Sequence, residues 1–99
     1  MTFGEILDSL DSLDEELTIY TPADRPLTAE SPAVAAMEPD DGSLPAEAAG
    51  LTYLLEVYLA KEALEVWSKW RGGLAPTPAQ RMEAIVYYAD HDAYLADAE

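Results

Sequence analysis

Between Leu51 and Gly73, in LTYLLEVYLAKEALEVWSKWRGG, the spacing of apolar residues changes period with no turn residue to mark the change. From Ala60 onward, Ala60, Ala63, Leu64, Trp67 and Trp70 form an apolar stripe at helical spacing, with Lys61, Glu62, Glu65, Ser68 and Lys69 opposite. Extending that helix backward puts Glu56 in line with Ala60, Ala63 and Trp67, and leaves Leu54 and Tyr58 among the polar residues. A period of two removes the conflict. Tyr53, Leu55, Val57 and Leu59 then line one side of residues 52–59, and Thr52, Leu54, Glu56 and Tyr58 the other. The stretch predicts a strand that runs directly into a helix, with the switch near Leu59. Leu55 and Val57 should be buried and Glu56 at least partly exposed. Gly72-Gly73 supplies the left-handed residue that ends helices, and Arg71 suits the negative end of the helix dipole.

The rest of the chain supplies partners for these two elements. Thr2-Phe-Gly-Glu5 fits a capping box, and Phe3, Ile6, Leu7, Leu10 and Leu13 follow at helical spacing, predicting a helix over about residues 3–12. Leu17-Thr-Ile-Tyr20 is β-branched and aromatic, a short strand, and Thr21-Pro-Ala-Asp-Arg-Pro26 is turn chemistry. Pro32–Met37 is a weak second strand, diluted by alanine, and Pro39-Asp-Asp-Gly-Ser43 a turn. Residues 22–50 are therefore loop-rich with one strand. Thr77-Pro78, with Gln80 three residues after the threonine, opens a helix whose inner stripe is Met82, Ile85, Val86 and Ala89, and Asp90-His-Asp92 marks its end. The expected fold is a single α+β domain: a small antiparallel sheet of about three strands with helices packed on one face.

Charge narrows the function classes. Twenty Asp and Glu stand against five Lys and Arg, a net charge of −15. Residues 1–50 carry twelve acids and one base, Arg25, while residues 51–99 carry eight acids and four bases. Such a field repels phosphate backbones and anionic membranes and speeds encounter with basic proteins. A plain alternative is solubility, or a salty cytoplasm. No apolar run approaches the roughly 18 residues of a membrane span, the first residues lack the pattern of a secretory signal, and the chain has no Cys. These features point to the cytoplasm and exclude a thiolate metal site and a disulfide framework.

LEVYLAKEALEVWSKWRGG, followed by PT and then EAIVYYADHDAYL, resembles a family of small uncharacterised bacterial proteins with a Trp-rich helix. The resemblance covers residues 52–95 closely and 3–20 loosely, and leaves 22–50 unmatched. It implies a helix and strand at the amino end and a Pro-Thr-initiated helix after the Trp-rich one. It transfers no activity, cofactor or catalytic residue.

Candidate sites are few. Asp8, Asp11 and Asp14, three apart, would lie along one edge of the first helix with Glu15 and Glu16 beside them, so their fields would add toward a basic partner. The alternative is a solvated face opposite Phe3, Ile6 and Leu10. Trp67 and Trp70 either anchor the core or, with Lys69 and Arg71 beside them, hold a partner; Trp67 inside and Trp70 and Arg71 at a rim satisfies both. Glu56 is either solvated on one side of the sheet or paired with Arg71 or Arg81. Asp90-His91-Asp92 holds the single histidine, but adjacent helical residues diverge and make a poor chelate. No metal, cofactor or catalytic residue is assigned. The expected function is a non-catalytic module, an inhibitor or immunity-type protein that occludes a basic partner, with no nucleic-acid or membrane binding and with self-association left open. A structural accessory whose acidity serves solubility is the alternative, and an enzyme or metal protein comes third.

Overall fold

The computed structural model describes residues 1–24 and 26–95. Arg25, inside the predicted turn, lies outside the described residues. Three helices, α1 (Phe3–Asp8), α2 (Val57–Lys69) and α3 (Pro78–His91), pack on a sheet of β1 (Thr18–Thr21), β2 (Val34–Ala36) and β3 (Thr52–Glu56). The strand order is β2-β1-β3 and both pairings are antiparallel. No helix among the described residues is long and apolar enough to cross a membrane.

β1 is central and buried along its whole length. Because successive side chains alternate across a strand, Ile19 faces the helices and Tyr20 the opposite side. On the helix side Ile19 joins Leu55, Phe3, Ile6, Val57 and Ile85 in the main core. On the other, Tyr20 packs with Ala36 and Ala48, the latter from a 3₁₀ turn at Ala46–Ala48. Residues 22–50 thus contribute β2 and a cover for the second face.

The strand-to-helix switch is present, three residues earlier than predicted. β3 ends at Glu56, and Val57 already opens α2 while its N–H donates to Leu17 O at 2.9 Å. The strand ladder and the helix share that residue, so no turn is needed. Leu55 and Val57 are buried and Glu56 is half-buried. Strict alternation fails at Leu54. Ile19 pairs with Leu55 and Tyr20 with Tyr53, so Leu54 is the extra residue of a β-bulge. Both leucines reach the main core.

α1 is shorter than the predicted helix over residues 3–12. The Ser9 hydroxyl donates to Glu5 O at 2.9 Å and Ile6 O at 3.3 Å, competing with the next helical turn, and the chain tightens into a 3₁₀ turn at Leu10–Ser12. At the other end every early N–H is satisfied. Thr2 and Glu5 form the capping box, and Phe3 N and Gly4 N donate to Ser31 O and Ala29 O at 2.8 and 2.9 Å. The 28–33 loop is therefore part of the helix cap. A Cβ on Gly4 would lie 3.0 Å from Ala29 Cβ and 3.1 Å from Ala29 O, which explains a glycine inside a helix here.

α3 has the predicted start. Thr77 Oγ1 accepts from Gln80 N, the Gln80 side chain returns to Thr77 N, and Pro78 occupies the first turn. Thr77→Ala should lower stability by about 1 kcal/mol. A denaturant midpoint unchanged by the substitution would mean that Pro78 alone sets the start. The helix ends where Asp92 turns left-handed at φ 53°.

Candidate functional site

Two surfaces gather chemistry-bearing side chains. The first is a half-open cleft of about 510 Å³ between α1, α2 and the start of α3, lined by Asp8, Asp11, Glu15 and Glu65 with Lys61 and Arg81. Its cations are held by backbone carbonyls. Arg81 Nη1 donates to Leu7 O at 3.1 Å, at the end of α1, and to Asp8 Oδ1 at 3.2 Å. Lys61 Nζ donates to Leu13 O at 3.0 Å and stands 3.9 Å from Glu15 Oε2. Both cations thus tie the α1 region to the helices beneath it.

The predicted acidic edge is only partly assembled. Because α1 stops at Asp8, the three aspartates do not share one helix. Asp8 and Asp11 meet in the cleft with Glu15, but Asp14 lies beyond it and accepts from Glu16 N at 2.9 Å in a local turn. Glu16 is exposed and takes no part in the lining. Glu65, which sequence reasoning did not single out, completes the cleft from α2.

The second surface is aromatic. Trp67 and Trp70 separate: Trp67 is 3% exposed, whereas Trp70, at the end of α2, is 52% exposed. Trp70 meets the edge of Tyr94 at a centroid distance of 6.0 Å, and Tyr94 in turn lies 5.2 Å from Tyr88. The Tyr94 hydroxyl donates to Glu62 Oε1 at 2.8 Å, and the Tyr53 hydroxyl donates to Glu56. Glu56 therefore pairs with neither Arg71 nor Arg81. Its partner is a phenol on its own strand, because both arginines are engaged elsewhere. Tyr53 and Tyr58 are each about half exposed.

Electrostatics bind these groups into one neighbourhood. The hydrogen bond to Glu62 pushes the Tyr94 phenol up to about 12, with burial adding to it. Burial, then the bond to Glu56, raises Tyr53 still further. Burial also raises Tyr88, helped by Asp92, Glu62, the Tyr58 phenol and Glu56. The Tyr53 and Tyr94 phenols therefore stay neutral at physiological pH and donate to Glu56 and Glu62.

Arg71 is not a free rim cation. Its guanidinium lies 4.3 Å from the Trp67 ring centroid, and it donates to Trp67 O at 3.1 Å and Leu95 O at 3.4 Å. It fastens the segment after α3 onto the end of α2. His91, at the end of α3, stacks on Tyr87 with 4.3 Å between centroids, beside an apolar groove that includes Leu27, Met82 and Val86. Among the described residues no group of three His, Asp or Glu side chains is placed to hold a metal.

A family model described as a domain of unknown function, DUF7716, matches residues 1–96. The chain belongs to that family. The DUF7716 match includes residues 22–50, which the resemblance in the sequence left unmatched; the segment that supplies β2 and caps α1 is part of the family's domain. No curated protein and no solved structure matches the chain. Of the aromatic face, sequence reasoning named Trp70 and missed the tyrosines around it. The rings of this face come from β3, α2, α3 and the segment after it, and no spacing within one element signals the group.

Proposed function

We propose that this DUF7716 domain is a non-catalytic binding module for a basic protein, acting in the cytoplasm by electrostatic steering and steric occlusion in the manner of an inhibitor or immunity-type protein. One observation carries the reading. Lys61, Arg71 and Arg81, three of the five cations in the chain, are held by backbone carbonyls within the fold. They brace the domain, Lys61 and Arg81 each stand beside a single carboxylate, and five cations against twenty acids leave a net charge of −15. The outward field is acidic and a basic partner is its natural complement.

The test begins with crosslinking in the host cell, identification of the captured protein, and association kinetics with that protein in purified form. Between about 0.01 and 0.15 M salt the association rate should fall by at least roughly tenfold, since exposed charges are screened over about 8–30 Å in that range. Asp11→Asn with Glu65→Gln should slow association at low salt while leaving the melting temperature unchanged. Neither residue forms an ion pair within the fold among the described residues. A captured partner with an acidic surface, bound at a salt-independent rate, would reject the proposal.

A further inference from the structure

We propose that the aromatic face is the docking surface for an arginine-bearing segment of that basic partner. The inference rests on the binding reading above and gives it a place and a chemistry. Tyr53, Tyr58 and Trp70 each leave about half of their surface in water on a chain otherwise dominated by exposed carboxylates. Exposed rings interleaved with Glu56 and Glu62 offer a guanidinium two things together: a π-face to stack on and an acceptor at its edge. Each of these carboxylates accepts one tyrosine hydroxyl, and an ionised carboxyl has about four acceptor sites, so capacity remains for a forked donor.

The end of the surface nearest α3 is also fixed in advance. Tyr94 is wedged between Trp70 and Tyr88 while its hydroxyl holds Glu62, so little side-chain freedom is lost on binding. The molecule contains an internal example of the contact: the Arg71 guanidinium lies over the Trp67 indole next to this surface. A second copy of the chain is a poor occupant, because it would bring another net charge of −15 to an acidic rim. Lysine satisfies the charge but not the stacking, so the face should discriminate between two equally charged segments.

The experiment titrates the full chain with a blocked oligoarginine peptide and with an oligolysine peptide of equal length. Oligoarginine should bind about fivefold to tenfold more tightly at the same salt. Tyr58→Ala with Trp70→Ala should bring the two affinities together, while Asp11→Asn with Glu65→Gln should weaken both peptides alike and preserve their ratio. If the double alanine variant melts early, Tyr58→Leu alone serves, with a smaller fall in the ratio expected. Equal affinities in the unmodified protein, or a ratio that the aromatic substitutions leave unchanged, would overturn this docking site and leave the binding reading standing. Salt-sensitive binding to neither peptide would overturn both. A dimer seen by sedimentation and dispersed by Tyr58→Ala with Trp70→Ala would assign the face to self-association and reject the inference.

Discussion

Replacing Trp67 with Ala should lower the unfolding free energy by about 3–5 kcal/mol. The indole is 3% exposed on the buried stripe of α2, which it shares with Val57, Ala60 and Ala63. Surrounding side chains relax only partly into the volume of a deleted indole, so much of it would remain as a cavity. The loss would also reach beyond the ring. Arg71 stacks on that indole while donating to Trp67 O and Leu95 O, so the platform for the arginine that fastens the segment after α3 would disappear. A domain of this size is stable by only about 5–15 kcal/mol, and each kcal/mol moves the melting temperature by roughly 4–8 °C. Thermal melting should therefore fall by at least ~12 °C. Trp70→Ala, at a residue 52% exposed, should shift it by only a small fraction of that. Equal shifts for the two tryptophans would refute the division between a core ring and a surface ring.

That division was legible in the sequence only as one of several options, and the reason is general to the chain. Features written locally could be read. Thr77-Pro78 with Gln80 carries its whole capping chemistry within four residues, and the start of α3 followed from it. The change of period before Ala60 could be seen because Glu56 contradicts a continuous helix. What could not be read depends on residues distant in sequence. The acidic edge rested on a helix continuing past Asp8, and the chain leaves the α-helix at Ser9, whose hydroxyl bonds back to Glu5 and Ile6. The role of Ala29 and Ser31 in capping α1 leaves no local pattern. The aromatic face is the extreme case. Tyr53, Tyr58, Trp70, Tyr88 and Tyr94 occupy different elements or different turns of one, and only the packing of α3 beside α2 brings Tyr94 between Trp70 and Tyr88.

Leu54→Ala should destabilise the domain as much as Leu55→Ala, about 2–5 kcal/mol in each case. Regular alternation would make the two leucines unequal. Leu55 would face the helices, and Leu54 would share the second face with Glu56, where truncation is cheap. The pairing of β1 with β3 removes that asymmetry. Tyr20 opposes Tyr53 and Ile19 opposes Leu55, so the residue between them is in excess, the strand bends there, and Leu54 is 5% exposed against 2% for Leu55. Tyr53, displaced onto the outer face, is 51% exposed, and Tyr53→Ala should change stability far less than either leucine substitution. Denaturant unfolding of the three variants decides the matter. A Leu54→Ala variant close to the unmodified protein, with Leu55→Ala strongly destabilised, would restore regular alternation and place Leu54 outside the core. It would also return Tyr53 to the helix side, away from Glu56. The exposed ring-and-carboxylate pair that begins the aromatic face exists because one extra residue in β3 turns Tyr53 outward.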